Sequence, residues 1–212
     1  ADIDASETST WNDGDGGDAE GFSPIGNITT QFTGTYDGDN YAISNLYIYR
    51  PGSEYVGLFG RTNYGTTLLD IKLQDADISA DKNIGILAGY IQSSIITGCS
   101  SSGSVSSVNG NSGGLIGQAQ SGLTNISSSY STANINGASA TADRMGGFAG
   151  YSTSGATIVN CYATGNVSGH FLLGGFIGDN GSNISYCYST GVVSGSSTPI
   201  GGFCGFNDGT VN

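Results

Sequence analysis

One phrase recurs along this chain, and its period restricts the fold more than any other feature. The clearest copy runs from Met145 to Gly169. Its first half, Gly146-Gly147-Phe148-Ala149-Gly150, is a short apolar run framed by glycine. Its second half is Ile158-Val159-Asn160-Cys161-Tyr162-Ala163-Thr164-Gly165-Asn166-Val167-Ser168-Gly169. The glycine-framed half returns with closing glycines at Gly60, Gly89, Gly117, Gly150, Gly178 and Gly205, spaced 29, 28, 33, 28 and 27 residues apart. The long spacing holds an insertion around residues 138–144. A fixed period in this range marks a repeat architecture, in which each unit buries its apolar face against its neighbours.

The repeat is not helical. It carries no apolar stripe of helical period, and it is rich in Ser, Thr, Gly and Asn, which favour turns over helix interiors. Its apolar runs are short, β-branched or aromatic and bounded by glycine, as strands are. One repeat reads as one coil of a single parallel β-solenoid, with about 28 residues per coil and strands near 147–151, 157–164 and 166–168. The coil is expected to be right-handed, by analogy with parallel crossovers. Roughly seven coils at about 4.8 Å each give a rod of about 35 Å. Propeller blades need about 40 or more residues each, and a β-sandwich gives no reason for such self-similarity.

The phrase Gly-Gly-(Phe/Leu)-x-Gly, followed by Ile-x-x-Cys-Tyr-(Ser/Ala)-Thr-Gly-x-Val-Ser-Gly, resembles the GLUG-motif repeats of bacterial and archaeal cell-surface proteins. The N-terminal segments Asp2-Ile3-Asp4, Pro24-Ile25-Gly26 and Phe32 to Ile43 resemble the stretch that often precedes them. The resemblance implies an extracellular, adhesin-like protein with a β-solenoid fold. It implies no single activity, because a fold does not fix a function. Residues 1–54 are expected to form N-terminal capping coils with an acidic loop. Residues 55–212 carry the GLUG-type coils of the same continuous domain.

Composition agrees with a narrow core. Glycine makes up 37 of 212 residues, against a usual share of about 7%, and only 10% of residues are charged. Without the repeat such a chain would read as disordered. The net charge is −12, and the only bases are Arg50, Arg61, Lys72, Lys82 and Arg144. Phosphate binding needs clustered Lys and Arg, so nucleic acid is excluded as a partner, and attraction to anionic membranes fails for the same reason. No apolar run approaches the roughly 20 residues of a membrane span, so membrane insertion is not expected. No signal peptide is present, as expected of a mature extracellular chain.

Cys99, Cys161 and Cys187 hold the same place in three repeats, and Ser129 holds it in a fourth. No close Cys or His pairs suggest zinc. Stacked equivalents at about 4.8 Å lie wider than the usual disulfide Cβ separation of about 3.8 Å. These cysteines read as an internal structural ladder of small apolar thiols. Ile158 and Cys161 are three apart, so both face inward only if the strand bends between them, with Asn160 the candidate corner.

Function-bearing chemistry is sparse. Asp13, Asp15, Asp18 and Glu20 lie in one loop and could surround Ca²⁺, which takes six to eight oxygens. The loop matches neither the EF-hand nor the RTX pattern, and the alternative is a solvated acidic loop. Ca²⁺ is thus the one candidate cofactor. The sole histidine, His170, sits in a turn without an equivalent in other repeats. A serine nucleophile would need a base, and the acids gather toward the N-terminus, away from a two-carboxylate site. The chain reads as non-enzymatic.

Repeated positions are better candidates. Tyr130, Tyr162 and Tyr188 are equivalent, as are Thr132, Thr164 and Thr190. Facing outward, the tyrosines would suit glycans or protein partners, and a flat threonine row would suit ice. The alternative is that both sets only pack. Asn27, Asn125, Asn166 and Asn183 begin Asn-x-Ser/Thr triplets, the glycosylation pattern of secreted proteins. The last repeat stops at Asn212, partway through a coil. It reads either as a fragment of a longer surface protein or as an open edge on which another copy stacks into a filament. The leading expectation is an extracellular adhesin-like stalk or binding surface. An end-to-end structural subunit comes next, then an ice- or glycan-binding module.

Overall fold

The computed structural model describes residues 1–12, 19–120 and 122–212. It is an all-β solenoid of about six turns. Among the described residues the helical content is a single 3-10 turn, Ser6–Thr10. Strand pairing is parallel throughout the three sheets, and an isolated antiparallel bridge joins Gly21 to Ile48.

The central coil shows how one repeat folds. Asp143–Gly146 leads into the glycine-framed strand Ala149–Ser152. Thr157–Val159 follows, then Tyr162–Ala163 and Val167–Gly169. The strands of successive coils stack into three sheets. A six-stranded sheet collects the glycine-framed strands from Phe59–Arg61 to Cys204–Asn207. A seven-stranded sheet collects the isoleucine strands from Thr35–Asp37 to Thr210–Val211. A branched 14-stranded sheet holds the remainder.

Each coil therefore has more segments than the three that the sequence suggests. The stretch expected as one strand over 157–164 breaks at Asn160, whose φ is +54°. The bend lets Ile158 and Cys161 both point inward, at 0% and 1% exposure. Asp70, Gly98, Ser128 and Tyr186 make the same left-handed corner in other coils. A second corner series runs through Tyr55, Asn83, Asn111, Arg144 and Leu172, with φ between +50° and +63°. Each of these precedes a buried residue: Val56, Ile84, Ser112, Met145 and Leu173. Non-glycine residues enter this region at a cost of roughly 1–2 kcal/mol each, so the corners persist because packing on both sides fixes them.

The framing glycines let strands of adjacent coils approach closely. A Cβ at Gly146 would lie 2.6 Å from the Ile177 Cα and 2.7 Å from the Phe176 carbonyl oxygen. A Cβ at Gly178 would lie 2.5 Å from the Met145 nitrogen. Inside, residues stack by type. Ile126, Ile158 and Ile184 are in register. The rings of Phe148, Phe176 and Phe203 stack at 4.8 and 4.9 Å with interplanar angles of 7° and 0°. The 138–142 insertion bulges between Asn134–Gly137 and Asp143–Gly146. Register holds on both sides of it, at Ile135↔Val167 and Met145↔Leu173.

Residues 1–54 stack on the same solenoid. Ile3 pairs with Ile43, Thr35 with Thr67, and Tyr47 with Asp77. Single bridges, Ile25 to Phe59 and Phe32 to Thr62, extend the glycine-framed face toward the N-terminus.

Candidate binding surfaces

The tyrosine and threonine columns share one outward face. Ser131 between Tyr130 and Thr132 is buried, and the strand alternation puts both neighbours on the other side. Thr132, Thr164 and Thr190 are exposed. The tyrosine rings stack on one another, at 4.7 Å and 2° for Tyr130–Tyr162 and 5.1 Å and 6° for Tyr162–Tyr188. Tyr162 thus has a ring against each of its faces, and Tyr130 and Tyr188 each have one. Tyr188, at the end of the stack, is 53% exposed. Burial between its two neighbours pushes the Tyr162 phenol up, with Tyr130 and Tyr188 adding to the shift. On the preceding rungs the column continues as Ser100 and Lys72.

The cysteines line the interior as free thiols. The Cys161 backbone N–H donates to the Cys187 sulfur at 3.4 Å, and the Cys99 N–H donates to the Ser129 hydroxyl at 3.1 Å. Serine and cysteine thus do the same job at this corner. Burial pushes the Cys99 thiol up to about 12. The neighbouring Cys187 and burial together push Cys161 up as well.

Of the acidic-loop residues, Asp13, Asp15 and Asp18 lie outside the described residues. Glu20 forms an ion pair with Arg50 at 2.7 Å. Among the described residues no group of three or more His, Cys, Asp or Glu is placed to hold a metal ion. His170 is half-buried beside Phe171, with ring centroids 6.5 Å apart. The four asparagines Asn27, Asn125, Asn166 and Asn183 are all exposed. A fifth triplet, Asn180-Gly181-Ser182, escapes the sequence reading. Asn180 and Ser182 are buried and hydrogen-bonded to each other and to Ser152, so this triplet is structural.

The structure also assembles a surface that repetition does not reveal. On the glycine-framed sheet one column runs Arg61, Tyr90, Gln118, Tyr151, Asp179, Phe206. The corner residues Tyr55 and Arg144 lean over it. The Arg61 guanidinium lies 4.6 Å from the Tyr55 ring centroid and 4.1 Å from that of Tyr90. Arg144 lies 5.6 Å from the Tyr151 ring centroid, and its Nε meets Asp179 Oδ2 at 3.0 Å. Beside Gln118, its Nε2 donates to Gln120 Oε1 at 2.9 Å. Burial pushes the Asp143 carboxyl up, against the pull of Arg144. Aromatic rings, amides and paired charges therefore form one strip along the solenoid. No two rungs of the column after Arg61 repeat their neighbour, so a search for equivalent residues passes over it.

Comparison with known proteins places the repeat. The chain is 40% identical over 139 residues, 62% of its length, to Halomucin of Haloquadratum walsbyi (strain DSM 16790 / HBSQ001). The aligned part spans 1% of Halomucin's own length. No solved structure matches the chain. The model of the GLUG motif matches residues 141–168, the stretch that supplies the Asn160 corner, the cysteine and the central tyrosine of the stack. Residues 141–168 thus match the GLUG motif, and the coils on either side stack in register with this stretch.

Proposed function

We propose that this chain is a segment of an extracellular cell-surface protein, serving as an adhesin-like stalk or binding surface without catalysis. The observation that carries the reading is the GLUG repeat at residues 141–168, together with the 40% identity to Halomucin over 62% of the chain. The physical character of the solenoid supports it. A stack of coils displays long, regular outward columns while consuming few large residues in its core. The one histidine stands beside a phenylalanine, and the Asp179 carboxylate is tied to Arg144. Neither arrangement pairs a nucleophile with a base.

Immunolabelling tests the reading. Antibody raised against the folded chain is expected to label intact, unpermeabilised cells of the source organism. Labelling that appears only after permeabilisation would contradict it.

A further inference from the structure

Three successive rungs of the glycine-framed sheet place Tyr151, Asp179 and Phe206 in one column. Rungs lie about 4.8 Å apart, so the two aromatic residues are separated by about 10 Å of sheet, with the carboxylate between them. A cleft of 430 Å³ opens there, and Thr153, Ser154 and Asp208 are among the other residues that line it. Phe206 is 44% exposed, unlike the stacked core ring of Phe176.

The cleft is held in shape. Arg144 fixes Asp179, whose side chain is 15% exposed, by the 3.0 Å contact and covers part of Tyr151. The Thr153 hydroxyl oxygen is buried without a hydrogen-bond partner among the described residues. Asp143 and Asp179 both contact the Arg144 guanidinium and Asp208 lines the cleft, so the carboxylates here outnumber the one base and the local charge is negative.

We propose that this cleft is a binding subsite for a neutral polysaccharide, with one sugar ring seated between Tyr151 and Phe206. The two side chains offer apolar ring faces to the C–H faces of a pyranose. The free oxygens of Asp179 and Asp208 accept from sugar hydroxyls, the exposed Ser154 hydroxyl exchanges hydrogen bonds with them, and the excess of carboxylate repels uronate and sulfate groups. The proposal rests on the surface-binding reading and names its ligand class. It uses a different face from the Tyr130–Tyr162–Tyr188 stack.

Isothermal titration of the full chain with cellohexaose, maltohexaose, chitohexaose and an oligogalacturonate provides the test. At least one neutral oligosaccharide is expected to bind, and the oligogalacturonate is not. Phe206→Ala and Tyr151→Ala are each expected to weaken binding about tenfold or more, in the manner of aromatic anchors, and Asp208→Asn is expected to weaken it without touching the core. Tyr188→Ala should leave affinity unchanged. Circular dichroism confirms that each variant folds. Absence of binding to every neutral probe, equal binding of the oligogalacturonate, or affinity indifferent to both Phe206→Ala and Asp208→Asn would overturn the proposal. Cells labelled at their surface by antibody, combined with no sugar binding, would remove this subsite and leave the broader reading standing.

Discussion

At the scale of single residues, the motif's glycines are there for space more than for flexibility. Gly178 has backbone atoms of Met145 and Gly150 at 2.5 and 2.7 Å from where its Cβ would stand, so the two strands meet with nothing between them. Gly178→Ala must push them apart, and overpacking of this kind costs roughly 1–3 kcal/mol. Gly52, in the strand Tyr47–Val56, has open space where its Cβ would stand. Gly52→Ala is expected to stay within about 0.5 kcal/mol of the parent. Urea denaturation midpoints check the pair: a large drop for Gly178→Ala with little change for Gly52→Ala supports close approach as the cause. Equal drops would point to a loss common to both glycines. The framing positions themselves are plain in the sequence. Their reason is not, because it lies in strands brought together from the preceding coil.

At the scale of the element, two aromatic ladders of the same geometry do different work. Phe148, Phe176 and Phe203 stack in the interior, whereas Tyr130, Tyr162 and Tyr188 stack on the outer face. Phe176→Ala empties a buried site and should cost roughly 3–5 kcal/mol. Tyr162→Ala removes two ring contacts at a partly exposed site, worth roughly 0.5–1.5 kcal/mol each. Thermal or urea unfolding of the two variants should therefore separate them clearly, and a Tyr162→Ala loss as large as that of Phe176→Ala would contradict the assignment of inside and outside. The spacing of Ile158 and Cys161 allowed either a bend between them or one side chain pointing outward, and Asn160 supplies the bend. What spacing could not show is the Tyr151–Asp179–Phe206 column. Its members share a register, not an identity, and register between rungs is set by stacking of whole coils. The tyrosine and threonine ladders were visible because their residues repeat.

At the scale of the molecule, each coil touches only the coils above and below it, so the structure is a one-dimensional stack and its stability is approximately a sum over neighbouring pairs. The charge is uneven along the sequence: the acids are concentrated before residue 83, and the coils after it carry little net charge. The insertion at 138–142 passes out at a corner without disturbing the register, which is why the single irregular spacing does not break the solenoid. The most direct test of this architecture uses equivalent exposed positions. Spin labels would be placed at Thr132 and Thr164, or at Thr132 and Thr190, with the native cysteines replaced by serine as the chain itself does at Ser129. Although the first pair is 32 residues apart in sequence, its backbone positions are expected about 5 Å apart, and those of the second pair about 10 Å apart. Strong spin–spin broadening for the first pair and weaker broadening for the second is the predicted result. Spectra identical to the sum of the single labels would show that these positions do not stack, and the solenoid would have to be abandoned.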